Sequence, residues 1–156
     1  MNITIHSRKS IIKLLRTNFP ANTAVISFYD PPEAGEKPRM IPFSEWTKLK
    51  IFQVPLDDIS FDATAEHKVN YGSYFPEADE LAAFILEAAR EGRDIICQCE
   101  DGRSLSAGCA AAIHEYLFGD GVFVFADYRY APNQMVFHKV YNALWLHEKG
   151  SSPQVR

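Results

Sequence analysis

The sequence predicts a single α/β domain of three layers, in which a mostly parallel central sheet is flanked by helices. Short apolar runs alternate along the chain with amphipathic helical segments, which is the pattern of parallel α/β proteins. The 156 residues suffice for one hydrophobic core and are too few for two ordinary domains. Hydrophobic residues make up 47% of the chain and charged residues 23%, which is typical of a folded domain. We therefore expect one domain over residues 1–150 and a disordered or extended tail at 151–156.

The first half of the chain predicts three strands and one helix. Residues 2–6 alternate in polarity as a short strand does, and Ser7 can then cap a helix with one broad apolar face. A second strand is predicted at 23–29. The loop at 30–42 must be exposed because it holds four prolines and one glycine. A third strand at 50–56 leads into an acidic loop.

The second half predicts three helices and two extended segments. The clearest helix covers 75–92, where large apolar residues recur at helical spacing after an initial proline. A short apolar strand follows at 95–99, and then a helix at 104–118. The run GVFVFADY at 121–128 predicts an extended piece, and a last amphipathic helix covers 132–149.

Charge and cysteine content exclude several classes of protein. The formal net charge of −4 argues against a general binder of nucleic acids or anionic membranes. The three cysteines lie within thirteen residues, which is a poor disulfide framework and favours a reducing cytosol. The N-terminal apolar run is interrupted by Lys13 and Arg16, so it lacks the core of a signal peptide. We expect a cytoplasmic protein with no membrane and no nucleic-acid partner, and no pattern predicts its oligomeric state.

The segment at 93–118 carries the clearest chemical signal. It predicts a buried strand that ends on cysteine, a short polar loop with a glycine, and a helix that opens with small residues. The backbone N–H groups of such a loop and the positive end of the helix dipole favour a thiolate and bind oxyanions. We therefore expect a loop that holds a phosphorylated substrate or an inorganic oxyanion. The spacing of the three cysteines and His114 does not suggest a metal site, and neither a metal nor an organic cofactor is expected.

One alignment of this loop takes Cys99 as the nucleophile. Gly102 then lies three residues later and Ser106 seven residues later. This pattern resembles the signature of the protein tyrosine and dual-specificity phosphatase superfamily, in which an arginine stands at plus six. Leu105 occupies that position here. The resemblance implies a cysteine-phosphatase fold and a phosphate-binding loop made of Glu100, Asp101, Gly102, Arg103, Ser104 and Leu105.

A second alignment takes Cys97 as the alternative nucleophile. Arg103 and Ser104 then occupy plus six and plus seven, so the literal signature is complete. However, Glu100 replaces the glycine at plus three, where the backbone must approach a dianion closely. The flanking segments IICQC and SAGCAAAI resemble the strand and small-residue helix of the superfamily when Cys99 is the nucleophile. The flanks therefore favour Cys99.

The resemblance is to small bacterial and phage members of the superfamily and extends over about residues 3–146. In those proteins a stretch similar to LDDI carries the general acid, which implies Asp58, with Asp57 as the second candidate. The implied reaction is hydrolysis of phosphomonoesters through a phosphocysteine intermediate. Ser106 would assist the departure of the thiolate in the second step.

Leu105 leaves two further functions open. An arginine fork grips two phosphoryl oxygens and neutralises developing charge, and its loss commonly costs on the order of 3 to 5 kcal/mol of transition-state stabilisation. Arg103 either swings inward as a substitute or points away, and we expect Glu100 and Asp101 to face outward. The main alternative is a catalytically silent relative that binds a phosphorylated or anionic partner. A rhodanese-like sulfurtransferase, which also places cysteine between a strand and a helix, is a lesser alternative.

Overall fold

The structure, a computed structural model, describes residues 1–43, 49–61 and 69–151. Its strands are β1 (Ile3–His6), β2 (Thr23–Tyr29), β3 (Lys50–Pro55) and β4 (Asp94–Gln98). Its helices are α1 (Arg8–Thr17), α2 (Ala78–Arg90), α3 (Leu105–Phe118), α4 (Val122–Ala126) and α5 (Gln134–Ser151). Part of the predicted acidic loop, at 62–68, and the tail residues 152–156 lie outside the described residues. None of the described helices is long and apolar enough to cross a bilayer.

The central sheet is parallel throughout the described residues, so the predicted sheet is confirmed. Its strand order is β1-β4-β2-β3. Strand β4 lies between β1 and β2, and Cys97 is in register with Ile5 on one side and with Ile26 on the other. Ligands of open parallel sheets usually bind outside the carboxyl ends of the strands. The cysteine loop leaves β4 at that end of the sheet.

Helices cover both faces of the sheet, which confirms the three predicted layers. On one face Ile11 and Leu15 of α1 pack against Val25 of β2. On the other face α2, α3 and α5 form the larger core together with alternate strand residues such as Ile26. The predicted helix cap at Ser7 is also present, since its Oγ accepts a hydrogen bond of 3.1 Å from the N–H three residues later.

Helix α4 occupies the run at 121–128 that was predicted to be extended, so that prediction was wrong. Val124 is buried against Ala107 and Ala111 of α3. Gly121 approaches α3 so closely that an added Cβ would lie 2.5 Å from the Ala111 carbonyl oxygen. A short helix therefore packs against the alanine-rich surface of α3, and this packing overrides the strand preference of valine and phenylalanine.

Candidate active site

The loop that joins β4 to α3 is held at both of its ends. At the first end the Cys99 N–H donates to the His6 carbonyl oxygen at 3.2 Å. The buried Gln98 side chain accepts a hydrogen bond from the Ser27 hydroxyl and donates one of 2.9 Å to the Cys99 carbonyl. At the other end the Ser104 carbonyl accepts the first backbone hydrogen bond of α3, at 2.9 Å. These contacts fix the direction in which the loop leaves the sheet.

Gly102 allows the loop to lie directly on the junction between β1 and α1. Its φ of +68° is in the left-handed region, which residues with a Cβ rarely adopt. An added Cβ would lie 2.6 Å from the Ser7 nitrogen and 2.9 Å from the His6 carbonyl carbon. The glycine at plus three from Cys99 is therefore required by both its backbone conformation and its surroundings.

Cys99 lines a cavity of about 220 Å³ at the carboxyl end of the sheet. The other lining residues are Phe28, Asp30, Asp58, Glu100, Asp101 and Leu105. Cys99 is only 3% exposed, and its Sγ lies 3.0 Å from Ser106 Oγ. The thiol also donates to Asp101 Oδ1 at 3.4 Å. The predicted nucleophile and general acid thus line one cavity, and the predicted assisting hydroxyl is buried in contact with the nucleophile. Their catalytic roles stay predictions.

Cys97, the alternative nucleophile, lies elsewhere. Its side chain is fully buried on the face of the sheet that α3 covers, where it forms a hydrogen bond with Cys109. This hydrogen bond, together with burial, raises the pKa of the Cys97 thiol well above its usual value. A neutral thiol in the core is a poor nucleophile, so the geometry favours Cys99 of the two candidates.

Asp58 lies beside the cysteine loop and is fixed there by two donors. Its Oδ1 accepts a hydrogen bond of 2.7 Å from Ser104 Oγ and one of 2.8 Å from Asn133 Nδ2. The Ser104 side chain is therefore directed at the acid and does not line the cavity of Cys99. Asp57, the second candidate, does not line that cavity either; its carbonyl oxygen accepts a hydrogen bond of 2.7 Å from the Tyr74 hydroxyl.

Asn133 is a site residue that the sequence reasoning missed. Its Nδ2 also donates to the Ile59 carbonyl at 3.0 Å, while its Oδ1 accepts from the Val136 N–H at 2.9 Å. One buried side chain therefore caps α5 and holds the loop that carries Asp58. The helix was predicted to begin at 132, whereas α5 begins at Gln134, so Asn133 was placed inside it. Asparagine is a preferred helix cap, and this signal could have identified the residue.

Leu105 and Arg103 take opposite positions relative to the cavity. Leu105 is 4% exposed and forms part of the cavity wall. Arg103 is exposed and does not line the cavity, and its carbonyl oxygen is bound by the Ala131 N–H at 2.9 Å. Of the two orientations left open for Arg103, the structure has the one that points away. Among the described residues, no lysine or arginine lines this cavity.

The expectation that Glu100 and Asp101 face outward was wrong for Asp101, although both residues line the cavity. Asp101 is turned inward by two hydrogen bonds, from the Cys99 thiol and from the Arg103 N–H at 3.0 Å. Glu100 forms an ion pair of 3.1 Å with Arg39, which lies on the proline-rich loop. Both side chains of this pair are largely exposed, so it contributes little to stability.

Solved structures with a similar fold are dual-specificity and tyrosine phosphatases. Human DUSP28 matches over 96% of this chain and 95% of its own, with 15% identity and a TM-score of 0.51. PTPMT1 in complex with PI(5)P matches over 97% and 95%, with 11% identity and a TM-score of 0.55. Tk-PTP, solved in a glycine-to-alanine mutant form, matches over 96% and 91%, with 16% identity and a TM-score of 0.51. This chain has the cysteine-phosphatase fold. No protein-family model and no curated protein sequence matches it.

Within the cysteine-phosphatase fold, the electrostatics of this cavity are unusual for a phosphate site. Four acidic residues line it, Asp30, Asp58, Glu100 and Asp101, and of these Glu100 is paired with Arg39. A phosphomonoester dianion would meet like charges without a guanidinium to bind two of its oxygens. No group of three or more metal-ligating side chains among the described residues is arranged to hold a metal ion. The cavity is thus lined by a thiol and four acidic residues, and by no described lysine or arginine.

Proposed function

We propose that this chain is a pseudophosphatase, a protein of cysteine-phosphatase fold that has lost efficient hydrolysis of phosphomonoester dianions. The observation that carries the proposal is the lining of the Cys99 cavity. Leu105 stands where the resemblance calls for arginine, four acidic residues line the cavity, and the Asp101 carboxylate contacts the thiol. Arg103, which could have replaced the missing cation, is turned away from the cavity.

The magnitude of the expected loss follows from the missing cation. Removing a group that stabilises transition-state charge costs on the order of 3 to 5 kcal/mol, which corresponds to a rate loss of roughly 10² to 10⁴. Repulsion between a dianion and the Asp101 carboxylate, which contacts the Cys99 thiol, adds to that loss. The phosphorylated or anionic partner expected from the sequence stays a proposal. Among such partners, the cavity is least suited to one that presents a phosphomonoester dianion.

A slow phosphatase is the second candidate, and one contact favours it. Ser106 Oγ lies 3.0 Å from Cys99 Sγ, close enough to donate a hydrogen bond to a departing thiolate. In that reaction the Cys99 sulfur would attack phosphorus while the bond to the leaving oxygen breaks, and Asp58 would supply the proton. Water would then hydrolyse the phosphocysteine and release the thiolate.

Turnover of an aryl phosphomonoester, measured across pH, separates the two candidates. We expect wild type to be indistinguishable from Cys99→Ser, and Leu105→Arg to gain turnover that depends on Cys99. Leu105→Met, which adds no charge, is the matched control and should gain nothing. Circular dichroism of each variant is needed because Leu105 is buried.

Two outcomes would contradict the proposal. Wild-type turnover that Cys99→Ser abolishes would favour the slow phosphatase, and Arg103→Ala would then test whether that arginine contributes. Turnover that is lost only in Cys97→Ser would move the nucleophile to the other alignment.

A further inference from the structure

We infer that the open edge of the sheet at β1, together with α4, is the contact surface of a two-fold symmetric dimer of this chain. The inference is independent of the proposed function, because the surface lies apart from the residues that line the Cys99 cavity. Four features carry it: an unpaired strand edge, a groove along that edge, a concentration of exposed apolar side chains, and paired charges.

The backbone of β1 is hydrogen-bonded on one side only among the described residues. The Asn2 and His6 carbonyls accept hydrogen bonds from Ile95 of β4 and from Cys99 just after it. Since the backbone groups of successive strand residues point to alternate sides, the N–H and C=O groups of Ile3 and Ile5 point away from β4. An unpaired edge of this kind is a template for another strand.

A groove of about 480 Å³ runs along this edge. All four residues of β1 line it, and the opposite wall is formed from α4 and the turn that follows it. The side chains on that wall include Phe123 and Val124, with Tyr130 beyond them. The strand edge is therefore accessible from the groove, and no described residue of this chain is paired with it.

Exposed apolar side chains are concentrated on α4 and the residues next to it in the chain, and one of them, Phe123, lines the groove. Half of the large apolar residues that are exposed in the described chain lie between positions 118 and 128: Phe118, Val122, Phe123, Phe125 and Tyr128. Phe123 is 71% exposed and Tyr128 is 92% exposed. Monomeric proteins rarely expose such a concentration of aromatic surface, and a patch of this kind usually marks an interface.

The charges at the groove fit a second copy of this chain better than a strongly charged partner. Arg129 is paired with Asp127 at 2.7 Å, and both residues line the groove. The wall of the groove therefore carries one positive and one negative charge that are paired with each other, so two copies do not repel each other there although the whole chain has a net charge of −4. A highly acidic or basic partner would find no complementary excess of charge.

A two-fold axis would bring together both the β1 edges and the α4 helices of two copies. If the axis passes beside Thr4, Ile3 of one copy lies opposite Ile5 of the other in an antiparallel pair. Each such pair exchanges two backbone hydrogen bonds, so the two sheets join into one. Helix α3 covers the sheet beside β1 and carries α4, so the axis also brings the two α4 helices and their aromatic side chains together.

Sedimentation velocity over a micromolar concentration series tests the inference. We expect wild type to be a dimer, and Phe123→Asp to raise the dissociation constant by about tenfold or more because it places a carboxylate in an apolar contact. Ile3→Pro should weaken the dimer independently, since it removes an outward N–H at the first residue of an edge strand, where proline is tolerated. Leu146→Asp is the matched control, because Leu146 is 69% exposed on α5, and this variant should stay dimeric.

Circular dichroism establishes that each variant is folded. A monomeric wild type, an assembly larger than a dimer, or an unchanged dissociation constant in both Phe123→Asp and Ile3→Pro would overturn the inference. Dissociation by Leu146→Asp alone would overturn it as well, because the contact surface would then lie on α5.

Discussion

Replacing Gly102 with alanine tests how tightly the cysteine loop is seated on the start of α1. Alanine at a φ of +68° costs about 1 to 2 kcal/mol. Its Cβ would also lie 2.6 Å from the Ser7 nitrogen and 2.9 Å from the His6 carbonyl carbon. Because both are backbone atoms that cannot rotate away, the contact adds about 1 to 3 kcal/mol.

The free energy of unfolding should therefore fall by roughly 2 to 5 kcal/mol in Gly102→Ala. Urea denaturation followed by circular dichroism measures this loss directly. For a domain of this size, 1 kcal/mol shifts Tm by about 2 to 4 °C, so Tm should fall by about 4 to 20 °C.

Gly119→Ala provides a matched control for this experiment. Gly119 also has a positive φ, of +72°, but an added Cβ there would meet no atom within 4 Å. This variant should lose only the conformational cost of about 1 to 2 kcal/mol. If Gly102→Ala costs no more than Gly119→Ala, the close contact between the cysteine loop and the β1–α1 junction does not exist in solution.

Three further predictions concern the three cysteines, the loop that carries Asp58, and the free energy of unfolding at alkaline pH. Iodoacetamide should modify Cys99 in the native protein and spare Cys97 and Cys109, because Cys99 alone of the three lines the cavity. Mass spectrometry of protein labelled before and after unfolding measures the modification of each cysteine. Equal labelling of all three in the native protein would contradict this prediction. Asn133→Ala should lower the free energy of unfolding by about 2 to 4 kcal/mol, since it removes a helix cap and leaves the buried Ile59 carbonyl unpaired. Urea denaturation measures this loss. A free energy of unfolding equal to that of wild type within experimental error would contradict these contacts. Burial and two neighbouring aspartates raise the pKa of Tyr74 above its ordinary value near 10. The folded state thus holds this proton more tightly, so the stabilisation is complete below about pH 10 and is lost as pH rises toward the folded-state pKa. The free energy of unfolding should therefore fall less steeply above pH 10 in Tyr74→Phe than in wild type, and parallel curves would contradict the shift.

The sequence was sufficient for the fold because each layer has a local signal. The alternation of strands and helices, the proline-rich loop and the cap at Ser7 depend on residues close together in the chain. The exception is α4, whose helical form depends on packing against alanines of α3 more than ten residues earlier. A strand-like run that lies on a small-residue helix cannot be recognised from its own composition.

For the candidate site, the sequence supplied the identity of the residues but not their orientation. The loop pattern identified Cys99 and Ser106, the family resemblance implied Asp58, and the structure has all three in one region. The inward turn of Asp101 depends on hydrogen bonds with the Cys99 thiol and the Arg103 N–H, and the outward course of Arg103 accompanies a contact with Ala131. Such loop contacts join residues whose relative positions are set only by the folded chain.

Binding of orthovanadate, measured by isothermal titration calorimetry, tests the loss of the phosphate site most directly. Vanadate imitates a phosphoryl group and needs neither a leaving group nor turnover, so it reports on the cavity alone. We expect no heat of binding with wild type at millimolar vanadate and measurable binding with Leu105→Arg. Wild-type binding with micromolar affinity that Cys99→Ser weakens would show that the cavity accepts a phosphoryl group despite the acidic residues that line it. That result would contradict the assignment of this chain as a pseudophosphatase.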